Sequence, residues 1–111
     1  MAEAYATAPD FVTQTLANTR LRCVARVQDP GGATDFAVLV KDTGLIVIRC
    51  VPRASRSDCR AVETMMAEGD FRRGILVASH GRGVAAHPGL EICSLDQLPG
   101  LLARYLHDGA A

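Results

Sequence analysis

Tryptophan is absent, and only three phenylalanines and two tyrosines stand among the 111 residues. The core must therefore be built from Val, Leu, Ile, Ala and Met, and stacking platforms for unpaired bases are scarce. Neither sign of charge is in excess, since twelve Lys and Arg balance twelve Asp and Glu. Net charge thus supplies no long-range attraction to a polyanion, which leaves only local patches to do so. No apolar run approaches the roughly 20 residues that cross a bilayer. The opening MAEAYATAPD has neither the basic start nor the apolar stretch of a secretory leader. These absences predict a soluble, cytoplasmic chain with no membrane partner.

Metal and redox signatures are missing too. Cys23, Cys50, Cys59 and Cys93 contain no C-x-x-C pair, so they read as buried free thiols of an ordinary core. His80, His87 and His107 have no zinc spacing, and the GRG of Gly81 to Gly83 lacks the lysine and spacing of a phosphate loop. No metal and no cofactor is expected.

What is present is apolar patterning: 49% of the chain is hydrophobic, enough for one modest core. The segment APDFVTQTLANTR reads as a helix, with Pro9 in its first turn and Phe11, Val12, Thr15 and Leu16 as a stripe. LRCVARVQ alternates and predicts a half-buried strand with Arg22 and Arg26 on its wetter face. After DPGG come two strands around a DTG turn, DFAVLVK and LIVIRCV. The second is apolar almost throughout, which suits a central strand covered on both faces, and Pro52 ends it.

Arg53 to Ser57 forms a basic loop, and Ser57 is the expected cap of a helix over Asp58 to Glu68 that stops at Gly69. RGILVAS is another buried strand, followed by a glycine-rich connection with one helical turn near Val84 to Ala86. LEICS is a short strand, and the chain closes in a helix that starts near Pro99. The order α-β-β-β-α-β-(α)-β-α predicts an α/β protein, three layers α/β/α around a mixed sheet. Its central strands include Ala37 to Val40, Leu45 to Cys50 and Ile75 to Ala78. One domain is expected over residues 9–107, with flexible ends at 1–8 and 108–111.

From Phe11 to Tyr105 these segments resemble the PD-(D/E)xK restriction endonuclease-like fold, in its Mrr-like form. TDFAVLV resembles the strand that opens with a metal-binding Asp. GLIVIRCV resembles the strand that ends in an acid or Gln, one residue, and a Lys. RRGILVASHGRG and LEICSLDQLPGLL resemble the later strand, loop and closing helix. The resemblance implies a divalent metal and an activated water acting on a phosphodiester. It also implies that Asp35 stands at the metal Asp, Arg49 at the acid and Val51 at the lysine. Residues two apart on a strand share a face, which is why that triplet works. Arginine has no acceptor for a metal, and valine cannot act on water. Asp35, Arg49, Val51 and the helical acid Glu63 thus make a degenerate site, with no catalytic residue and no metal.

Three functions follow from this reading. The first is a non-catalytic module that forms a homodimer or docks on a protein partner. The second is a DNA or other nucleic-acid binder without cleavage, through Arg53, Arg56, Arg60 and Arg82. The third is a metal-dependent nuclease that uses Asp35 with Glu63 as a migrated acid. Asp35 and Arg49 lie at comparable distances from the DTG turn, so an antiparallel hairpin would set them face to face, in a bidentate pair if partly buried.

Overall fold

The computed structural model describes residues 8–19, 21–28, 32–40, 44–53, 55–80 and 89–110. Among these described residues, three helices and five strands follow in the order α1 (Ala8–Asn18), β1 (Arg22–Gln28), β2 (Thr34–Val40), β3 (Gly44–Arg53), α2 (Arg56–Gly69), β4 (Arg73–His80), β5 (Leu90–Cys93) and α3 (Leu98–Ala110). The strands form one sheet in the order β1-β2-β3-β4-β5. The first three make an antiparallel meander, while β4 runs parallel to β3 and β5 parallel to β4. The sheet is therefore mixed, with β2, β3 and β4 inside it, and α2 links β3 to β4 as the sequence predicts. None of the described helices is long and apolar enough to cross a membrane.

Strand alternation divides the core into two halves. On one face Phe36, Val38, Ile46, Ile48, Ile75 and Val77 pack with Val12 and Leu16 of α1 and Leu98, Leu101 and Leu102 of α3. On the other, Val47, Val51, Leu76, Ala78 and Leu90 meet Cys59 and Val62 of α2, with Met65 and Met66 alongside. Helices thus cover both faces, which is why β3 and β4 carry near-continuous apolar runs.

Gly74 shows how closely α2 lies on β4. A Cβ there would come within 2.5 Å of Val62 Cγ1 and 2.8 Å of Met66 Sδ. Gly74→Ala should cost about 1–3 kcal/mol through overpacking. Urea unfolding of the variant measures this, and an unchanged midpoint would mean that α2 has room to lift.

Several expectations change. All seven residues of β1 are exposed, so it is an edge strand and not half-buried. A bulge between Cys23 and Ala25 breaks its alternation, which puts its two arginines on opposite faces. Arg26 pairs across from Phe36 and lies 5.5 Å from that ring, bonding Thr13 Oγ1 at 3.2 Å. Arg22 pairs across from Leu39, on the α2 side. Cys23, on this edge, is exposed, while the other three thiols are buried.

The cap of α2 is Ser55, two residues before the expected Ser57. Its stop is Asp70 at φ 56°, whose N–H reaches Met66 O; Gly69 is the last helical residue. Residue 8 begins α1, and α3 runs to Ala110, past the expected domain end at 107. The turns at 29–31 and 41–43, the segment 1–7 and the glycine-rich stretch 81–88 with its expected helical turn lie outside the described residues.

Candidate functional site

The hairpin register sets Asp35 directly opposite Arg49. Both residues lie on the α2 side of the sheet, in line with Ala37 and Val47 along their strands. The crossover then brings the first turn of α2 over them, and with it Asp58. Arg49 Nη1 donates to both Asp35 oxygens, at 3.1 and 3.0 Å. Its Nε donates to Asp58 Oδ1 at 3.1 Å. The face-to-face pair expected from the hairpin is therefore present, with both Asp35 oxygens on Nη1, and through Nε the guanidinium also reaches a second carboxylate that the sequence reading did not include.

Asp58 is fixed from its other side. Ser55 Oγ donates to Asp58 Oδ2 at 2.8 Å and accepts from Asp58 N at 3.2 Å. This is a capping-box relation between the cap residue and the third helical residue. Here the acid binds the cap hydroxyl and leaves its second oxygen for Arg49. The network ties β2, β3 and the start of α2 together.

Burial makes the arrangement consequential. The side chains of Arg49, Asp35 and Asp58 retain 13%, 18% and 16% of their exposure. Burial alone would lower the Arg49 pKa. The charge of Asp35 and the hydrogen bond and charge of Asp58 outweigh it, and the guanidinium is held above its ordinary value. Arg49 is thus a fixed cation and neither a base nor a metal ligand.

The remaining residues divide. Val51 lies on the same face two residues on, but is 5% exposed and packed in the α2-side core. Glu63 is half-buried farther along α2 and joins none of these contacts. Among the described residues no three His, Cys, Asp or Glu side chains group as metal ligands. Arg53 ends β3, Arg56 opens α2 and Arg60 follows one turn later, all exposed. They stand along the chain on either side of Asp58, at the end of β3 and in the first turns of α2. Arg82 lies outside the described residues.

Sequence reading missed Asp58 and Ser55. The signal was there as Ser-x-x-Asp at residues 55–58, an S/T-x-x-D/E cap ahead of an apolar run. Among the comparisons with known proteins, no family model matches this chain, and neither a curated protein nor a solved structure does.

Proposed function

We propose that this chain is a non-catalytic domain of the restriction endonuclease-like type that works as a protein-interaction module. The observation that carries the reading is Arg49 seated between Asp35 and Asp58. In a nuclease of that type, the pocket between the start of β2 and the end of β3 must offer oxygen ligands to a dication. Here a side chain supplies the cation, held by hydrogen bonds on two carboxylates. At close range and low dielectric its positive charge repels a second cation strongly. The α-β-β-β-α-β order and the antiparallel-then-parallel sheet support the fold assignment. Val51 and Glu63 lend no support to the nuclease reading, because one is buried among apolar groups and the other stands outside the network.

The expected result is no cleavage. Purified protein, incubated with plasmid, single-stranded DNA and RNA plus Mg²⁺ or Mn²⁺, should leave each substrate intact. Cleavage abolished by Asp35→Ala would overturn the reading and return Asp35 and Glu63 to the role of metal ligands.

A second reading rests on Arg53, Arg56 and Arg60, each exposed, at the end of β3 and in the first turns of α2, where they could meet phosphates. Under it, a fluorescent duplex would bind with an affinity that falls steeply with salt. Triple replacement of these arginines by alanine would abolish that binding. A duplex that does not bind even at low salt leaves the interaction module as the sole reading.

A further inference from the structure

We draw no further inference here: the strongest candidate, the open groove between α1 and the start of α3 that Phe11, Gln14, Asn18 and Pro99 line, is a mainly apolar surface, and nothing in the structure shows what covers it.

Discussion

Arg49→Ala should unfold at about 3–5 kcal/mol lower stability than the unmodified chain, the loss expected when one partner of a buried ionic group is removed. The reason is geometric. The guanidinium spans Asp35 and Asp58, and both acids keep less than a fifth of their side-chain exposure. Without it, two poorly hydrated carboxylates are left beside each other with their shared cation gone.

Asp35→Ala should cost less, since Asp58 still holds Nε. Arg49→Lys should fall between, because one ammonium cannot reproduce donation from both Nε and Nη1. The informative variant replaces Asp35, Arg49 and Asp58 together. If it is more stable than Arg49→Ala alone, the penalty lies in stranded charge. If the losses simply add, the three residues do not act as a unit. Urea unfolding at neutral pH reads all of these.

The second large effect is alkaline. Burial pushes the Cys50 thiol up to about 11, with Arg26 opposing weakly. Burial, then Glu91, then Cys50 push Cys93 up to about 11. Cys59 is raised as well, first by burial and then by Glu63 and Asp58. A thiol whose folded pKa is raised stays neutral in the native state while its unfolded counterpart ionises. Its stabilising share is complete below the unfolded value of 9.0 and is lost as pH rises toward about 11. Each of Cys50 and Cys93 should contribute roughly 2–3 kcal/mol to that loss.

The urea midpoint should therefore fall between pH 9 and 11, and Cys50→Ala/Cys93→Ala should flatten the fall while lowering stability at pH 7. Thiol titration on the native chain should find Cys23 reacting fast and the buried three slowly. A midpoint flat across that window would mean that the thiolates are accommodated in the folded core.

Much of this fold was legible because its signals are local. The apolar run of β3, the switch to helical spacing after Pro52 and the order of elements all come from neighbouring residues. The Asp35–Arg49 contact was legible for the same reason: a hairpin register follows from its turn. Asp58 was not, although it is only nine residues from Arg49. Its position depends on where the crossover helix lands on the sheet, and the cap was read at Ser57 when Ser55 fills it. β1 misled differently. Its alternation is real in the sequence, but the bulge at Val24 inverts the faces half-way along, and nothing in LRCVARVQ marks it as an edge.

The change of direction within the sheet also bears on how the chain folds. β1, β2 and β3 are joined by short connections, so their pairing closes only small loops. The parallel half must wait for α2 to cross over before β4 can align with β3, a costlier closure. β3 belongs to both halves, paired with β2 on one side and β4 on the other. Successive amides of β3 point alternately to β2 and to β4, so loss of either half opens only every second one, and the strand exchanges along its whole length only when both halves are lost.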